Sequence, residues 1–123
     1  MLVEIPNNKL KRSIENDSER QRRYGKEMAK KIQLRMGALV AAQTVGDFWP
    51  PYSPPERCHE LKGELVGKFS MDLTHPYRLL FKPATTQAQL SIRDQANAES
   101  GDQKARWHSI DSIEIVGVED THG

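Results

Sequence analysis

Apolar residues recur at helical spacing through the first part of the chain. Leu10 and Ile14 lie four residues apart, as expected on one face of a short helix. A longer stripe follows in a second segment: Tyr24, Met28, Ile32, Met36, Leu39 and Val40. Side chains at such spacing share one helix face, so the pattern predicts two helices that dock on a core. Ser18 and Gln21 have the positions of a capping box, which predicts that the longer helix begins there.

The apolar period changes to two in the second half of the chain. Six apolar residues alternate with polar ones on either side of a turn at 74–76: Phe69, Met71, Leu73, Tyr77, Leu79 and Phe81. This alternation predicts a β-hairpin with one buried face. The run 110–118 is rich in isoleucine and valine and predicts a last strand, in which Ile113 and Ile115 point inward.

These elements predict an α+β fold in which two N-terminal helices pack on one face of a roughly four-stranded antiparallel sheet. Segments 2–5 and 57–61 supply further short strands, and the second sheet face stays free. The proline-rich segment 49–55 cannot continue a helix or enter a central strand, so we expect an extended connector. Residues 84–106 are polar, which predicts a mobile insertion. Residues 1–123 have the size of a single domain.

Charge and cysteine content narrow the classes of protein that fit. The net charge is +1 and the sequence pI about 7.9, which argues against strong, purely electrostatic binding of free RNA or DNA. The basic excess within 9–35 could contact phosphates, although such a helix face is more often simply solvated. A single cysteine, Cys58, excludes an internal disulfide, and no Cys/His spacing predicts a metal or cofactor site. Without a signal region or an apolar run near the roughly 18 residues that span a bilayer, we expect a cytoplasmic protein with no membrane contact.

Two histidines and an arginine in the second half of the chain suit acid–base chemistry on RNA. Metal-free cleavage uses the 2′-hydroxyl as nucleophile and needs a proton acceptor, a cation beside the phosphorane and a proton donor for the 5′-oxygen. His59 and His122 could act as base or acid, and Arg78 could grip two phosphate oxygens. Each residue also has a plain structural interpretation, such as pairing of Arg78 with Asp72, so the chemistry alone does not decide.

The order and spacing of four motifs resemble the sheet half of a HigB-type toxin of the RelE/ParE superfamily. The motifs are CHELKG at 58–63, GKFSMDL at 67–73, HPYRLLF at 75–81 and IEIVGVEDTH at 113–122. The amphipathic segment that begins at Ser18 is similar to the long second helix of that family. The resemblance therefore extends over most of the chain except the polar segment described above.

This resemblance implies a RelE-like fold and a ribosome-dependent endoribonuclease that cuts mRNA in the A site and inhibits translation. It also implies a cognate antitoxin, often of the helix-turn-helix type, that keeps the toxin silent. The catalytic residues implied by motif position are His59, Arg78, Asp120 and His122. The implied RNA contacts are Lys62, Lys68 and Lys82.

One motif position departs from the family pattern. Thr121 stands where related toxins often have a tyrosine, so the aromatic face that could stack on a base, worth roughly 1 to 3 kcal/mol, is missing there. Tyr77 or Trp107 could replace it. Two alternatives remain open: a ParE-like toxin that poisons DNA gyrase, and a degenerate toxin or regulator that only binds partners. Two histidines with an arginine on one sheet favour the nuclease over the gyrase poison.

Overall fold

The computed structural model describes residues 1–84 and 103–120, and within them the fold is α+β, as the sequence predicts. The helices are α1 Asn8–Glu15, α2 Asp17–Tyr24, α3 Lys26–Ala41 and α4 Gln103–His108. The strands are β1 Leu2–Glu4, β2 His59–Glu60, β3 Phe69–Asp72, β4 Tyr77–Pro83 and β5 Ser112–Asp120. Two short 3₁₀ helices, Val45–Phe48 and Gly63–Leu65, lie in the connections.

Three helices precede the second strand, where two were expected. The prediction that Ser18 caps the helix is wrong, because the Asn16 side chain, two residues earlier, accepts from the Glu19 N–H at 2.9 Å and α2 begins at Asp17. Gly25 separates α2 from α3 with φ at +81°, a conformation that residues with a Cβ rarely adopt. The predicted continuous helix is therefore broken there, and Val40 at its end is 59% exposed instead of docked.

The strands form one sheet in the order β1-β5-β4-β3-β2. The predicted hairpin is confirmed, with Met71 opposite Leu79 in the antiparallel pair of β3 and β4. The predicted number of about four antiparallel strands is slightly wrong, because β1 adds a fifth strand that runs parallel to β5. The two ends of the described chain thus meet at one side of the sheet.

The main core lies between the helices and one face of the sheet. Ile113 and Ile115 point into it as predicted, with 0% and 1% exposure. Tyr77 was predicted on the buried face but is 43% exposed, because it lies at the end of its strand. On the other face Ser70 and Leu80 are 0% and 1% exposed, so the expectation of a wholly free face is wrong at its centre.

The proline-rich segment turns back on itself and is not extended. The Tyr52 N–H donates to the Cys58 carbonyl at 3.0 Å, and the Arg57 N–H donates to the Ser53 carbonyl at 2.8 Å. The prediction of an extended connector is wrong, because each proline removes only its own donor and the residues between them still make turn hydrogen bonds. This folded loop brings its polar side chains to the edge strand β2.

The polar segment ends earlier than predicted. Residues 103–106 belong to α4, so their assignment to a mobile insertion is wrong; residues 85–102 lie outside the described residues. Trp107 in α4 is 0% exposed and packs at 5.4 Å from Phe69, ring centre to ring centre. A side chain with no accessible ring face cannot stack on a nucleobase, so Trp107 is a core residue.

Candidate functional site

Polar and aromatic side chains gather at one end of the sheet face that is turned away from the helices. In register, His59 lies opposite Ser70, and Asp72 lies opposite Arg78. Because side chains alternate along a strand, these residues lie on one sheet face, and the core residue Met71 points to the other face. We use the name basic–aromatic cluster for a contiguous set on this face: Tyr52, Arg57, His59, Asp72 and Arg78.

Asp72 is the centre of the cluster. Its Oδ1 accepts from Arg78 Nη1, and its Oδ2 lies 3.1 Å from Arg57 Nε. Its backbone is fixed as well, since its N–H donates to the Glu56 carbonyl at 2.8 Å and its carbonyl accepts from Arg35 Nε at 2.7 Å. Two guanidinium groups share one carboxylate, so the cluster keeps an excess of positive charge.

His59 is joined to this ion-pair network through an aromatic ring. The rings of Tyr52 and His59 are stacked at 4.2 Å between centroids, and Arg57 Cζ lies 5.3 Å from the Tyr52 centroid. His59 Nδ1 lies 3.1 Å from the Arg57 carbonyl oxygen. Because a carbonyl only accepts hydrogen bonds, Nδ1 carries the proton and Nε2 of the neutral ring carries a free lone pair.

The loop that carries two of these residues has an unusual backbone. Within the described ranges, Tyr52 and Arg57 are the non-glycine residues with positive φ, at 66° and 51°. Such conformations cost of order 1–3 kcal/mol each, persist only where the surrounding structure holds them, and concentrate at functional sites. Here both residues contact the same cluster, which supports a functional interpretation of the loop.

Arg35 on α3 holds the loop and the sheet together. It is 8% exposed, and its Nη2 donates to the Pro55 carbonyl at 3.3 Å while its Nε donates to the Asp72 carbonyl. The guanidinium thus satisfies two backbone acceptors from segments that are distant in sequence. Arg35 positions Asp72 from behind without belonging to the basic–aromatic cluster.

The structure brings two predicted catalytic residues to one face. His59 and Arg78 both belong to the basic–aromatic cluster. Asp120 is exposed and lies opposite Tyr77 in register, so strand alternation directs it to the other face from Arg78. His122 lies outside the described residues, and so does the motif position before it.

The three lysines predicted to contact RNA lie outside the cluster. Lys82 is on the same sheet face as Arg78, opposite Glu114, but further along β4. Lys62 is exposed before the second 3₁₀ helix, and Lys68 is partly buried beside it. Lys82 is separated from the edge strand β2 by β3.

Tyr52, Arg57 and Arg35 were missed as site residues in the sequence. The cross-strand pair of Asp72 and Arg78 could be read from the hairpin, because opposite charges two residues from the turn face each other. The left-handed backbone of Tyr52 and Arg57 left no comparable signal, since neither residue type favours positive φ. Arg35 looked like one more solvated charge on a basic helix.

The cluster combines three chemical capacities on one surface. Two guanidiniums offer several N–H donors in planar forks, which match the oxygens of a phosphate. His59 Nε2 can accept a proton, and Tyr52, a residue that is 50% exposed, places an aromatic ring beside it. Across residues 1–84 and 103–120, no three His, Cys, Asp or Glu side chains converge as a metal site would need.

None of the helices in the described part of the chain has the length and apolar character needed to cross a bilayer. Comparisons with models of protein families, with curated proteins and with solved structures found no significant match to the chain.

Proposed function

We propose that the protein is a metal-free endoribonuclease that cuts mRNA on the ribosome, and that it acts as the toxin of a toxin–antitoxin pair. The observation that carries the chemistry is the continuous contact from the His59 ring, through Tyr52 and Arg57, to the ion pair of Asp72 and Arg78. Proton acceptor and phosphate-binding cations lie on one face of one sheet. The choice of mRNA and of an antitoxin partner rests on the motif resemblance.

In the proposed mechanism His59 acts as the base. Its Nε2 takes the proton of the 2′-hydroxyl, whose oxygen then attacks the adjacent phosphorus. The 5′-oxygen leaves with a proton from His122 or from water, which gives a 2′,3′-cyclic phosphate and a 5′-hydroxyl. Arg57 and Arg78 stabilise the additional charge of the phosphorane.

Asp72 sets the electrostatic balance of the site. In the free protein its carboxylate engages both guanidiniums, so a phosphate must share them with Asp72 or displace it. This competition lowers the affinity for free RNA. A substrate that the ribosome already holds in place needs little such affinity, because its positional entropy has been lost beforehand.

The same ion pairs favour one second candidate, a toxin-like protein that binds partners without catalysis. In that case Asp72 would keep both arginines as structural ties, and Tyr52 would be a docking residue. Cleavage would then be absent, while the proposed nuclease requires it.

The test is cleavage of a defined mRNA by purified protein on translating ribosomes, with cut sites mapped by primer extension and 3′ ends assayed for cyclic phosphate. We expect His59→Ala and Arg78→Ala each to lower the cleavage rate by about 10²- to 10³-fold. His108→Ala and Arg12→Ala remove an exposed histidine and an exposed arginine elsewhere, and should cleave like the wild type.

Undiminished cleavage by the His59→Ala/Arg78→Ala double variant would exclude these catalytic roles. Wild-type protein that leaves every mRNA intact would favour the binding protein. Inhibition of DNA gyrase supercoiling without mRNA cleavage would instead support the gyrase-poison alternative.

A further inference from the structure

The outer edge of β5 is only partly covered. β1 pairs with β5 from Leu2 opposite Ser112 to Glu4 opposite Glu114, and the chain then turns away at Pro6 toward α1. In the part of the chain that the structure describes, no strand continues along this edge beyond Glu114. The register with β4 skips Val116, and beyond this irregularity alternate residues of β5 present backbone N–H and C=O groups to the side where a neighbouring strand would pair.

A groove of about 300 Å³ lies between this edge and the first two helices. Its strand wall is the β5 segment 116–119, and its helix wall includes Leu10 and Ser13 of α1 and Tyr24 of α2. Ser13 Oγ lies 3.1 Å from the Tyr24 hydroxyl, so this wall is held in place by a polar contact between the helices. The groove therefore lies beside the unpaired part of the β5 edge, with backbone on one wall and helix side chains on the other.

The helix wall of the groove is basic. Lys9 and Arg23 both line it and are exposed, and among the described residues neither forms an ion pair. Arg23 lies over the Tyr24 ring at 5.9 Å, which leaves its N–H donors available. Glu119 supplies a negative charge only on the strand wall. An occupant should therefore carry acidic side chains toward α1 and α2.

We propose that the outer edge of β5 and this groove bind an extended, acidic peptide segment of a partner protein, which adds a strand to the sheet. Backbone hydrogen bonds to the 116–119 segment supply affinity, and carboxylates at Lys9 and Arg23 select the partner. The strand wall of the groove adjoins the basic–aromatic cluster, because Glu119 lies opposite Arg78 in register. The helix wall, with Lys9 and Arg23, contains no residue of the cluster.

The test uses a blocked eight-residue peptide of alternating glutamate and valine, titrated into ¹⁵N-labelled full-length protein. We expect saturable chemical-shift changes and slower hydrogen exchange at the amides of residues 116–119. Lys9→Glu/Arg23→Glu should weaken binding at least about fivefold, because the carboxylates then meet like charges. Lys26→Glu/Lys30→Glu makes the same charge change on exposed positions of α3 and should leave the affinity unchanged.

Two further peptides separate edge pairing from charge attraction. A version with N-methyl groups on alternate residues cannot pair with the strand and should not bind. A lysine–valine version should bind at least about fivefold more weakly than the glutamate–valine peptide. The proposal would be overturned if the peptide caused no saturable chemical-shift change at residues 116–119, or if either control peptide bound as tightly. It would also be overturned if raising the protein concentration alone slowed hydrogen exchange of these amides, because a second copy of the chain would then occupy the edge. Cleavage of mRNA by Lys9→Glu/Arg23→Glu should be unaffected, which keeps this test separate from that of the nuclease.

Discussion

Cys58 shows how one buried residue orients the polar residues beside it. Cys58 is 0% exposed and belongs to the core cluster, while its neighbours Arg57 and His59 contact Asp72 and Tyr52 of the basic–aromatic cluster. Burial of the Cys58 side chain therefore fixes the chain position between two residues of the basic–aromatic cluster. The Cys58 carbonyl also accepts from the Tyr52 N–H, so the same residue fixes the loop.

The environment of Cys58 predicts a pH-dependent stability. Burial raises the pKa of the Cys58 thiol above its ordinary value of 9.0, and the negative charges of Glu56 and Glu60 raise it further. The unfolded chain therefore loses this proton at lower pH than the folded protein, and stability falls as the pH rises above the unfolded pKa. We expect ionisation of the thiol in the unfolded chain to lower the free energy of unfolding by about 1.4 kcal/mol between about pH 8 and about pH 10.

Urea denaturation at several pH values measures this loss. Lysines and tyrosines also titrate in alkaline solution, so the relevant quantity is the difference between the wild type and Cys58→Ala. Over the same pH range, the free energy of unfolding of the variant should fall by about 1.4 kcal/mol less than that of the wild type. Identical pH slopes for the two proteins would show that the thiol ionises equally in both states.

At the scale of single residues, the sequence named residue types for a site but did not indicate the backbone conformation that brings them together. His59 and Arg78 were named as catalytic by motif position, and the structure places both on one sheet face; their catalytic roles stay predictions. The roles of Tyr52 and Arg57 depend on positive φ values imposed by the folded loop, and local sequence preference does not encode them. Asp120 was placed with the catalytic residues by motif order, yet strand register directs it away from Arg78.

At the scale of elements, α4 is held to the edge strand by one carboxylate. Glu60 Oε1 accepts hydrogen bonds from Arg106 Nη2, from Trp107 Nε1 at 2.6 Å and from Gln103 Nε2 at 3.4 Å. The side chains of Glu60 and Arg106 are 19% and 17% exposed. A short helix of this kind has little stability of its own, so these bonds and the Trp107 ring fix its place.

Removal of this carboxylate should therefore loosen α4. We expect Glu60→Ala to lower the free energy of unfolding by about 2–4 kcal/mol, because it leaves a largely buried guanidinium and the indole N–H of Trp107 without their partner. Urea denaturation and hydrogen exchange across residues 103–108 measure the effect. Glu19→Ala is the matched control, since its pair with Arg22 is largely exposed and worth less than about 1 kcal/mol. Equal losses of unfolding free energy in the two variants would contradict the proposed role of Glu60 in holding α4.

Strands could be predicted more reliably than helix boundaries. The β3–β4 hairpin was found because an alternating pattern is interrupted by a clear turn, although burial of Ser70 and Leu80 on its second face was not predicted. The helical stripe gave the right core residues, such as Ile32 and Leu39, but missed the break at Gly25. The helical spacing of apolar residues can continue across a short break in a helix. Such spacing therefore indicates which helix face is buried but not where the helix ends.

At the scale of the whole molecule, the layers are joined by contacts between segments far apart in sequence. The N-terminal amino group donates to the Ala42 carbonyl, and β1 closes the sheet against β5. The sequence indicated an α+β arrangement because helical and alternating patterns lie in separate halves. It could not indicate that β1 pairs in parallel, or that α3 supports the basic–aromatic cluster, since both depend on how the halves dock.

Arg35 is the contact through which the helix layer sets the geometry of the site. Arg35→Met keeps much of the side-chain volume but leaves the carbonyls of Asp72 and Pro55 without this donor, which should destabilise the fold by about 1–3 kcal/mol. It should also release the loop, so that His59 loses its stacking on Tyr52 and its ring protons move downfield in the NMR spectrum. Ile14→Val costs about 1 kcal/mol at a core site of α1 and should leave those ring protons unchanged. Unaltered His59 signals in Arg35→Met would show that the loop keeps its conformation without support from α3.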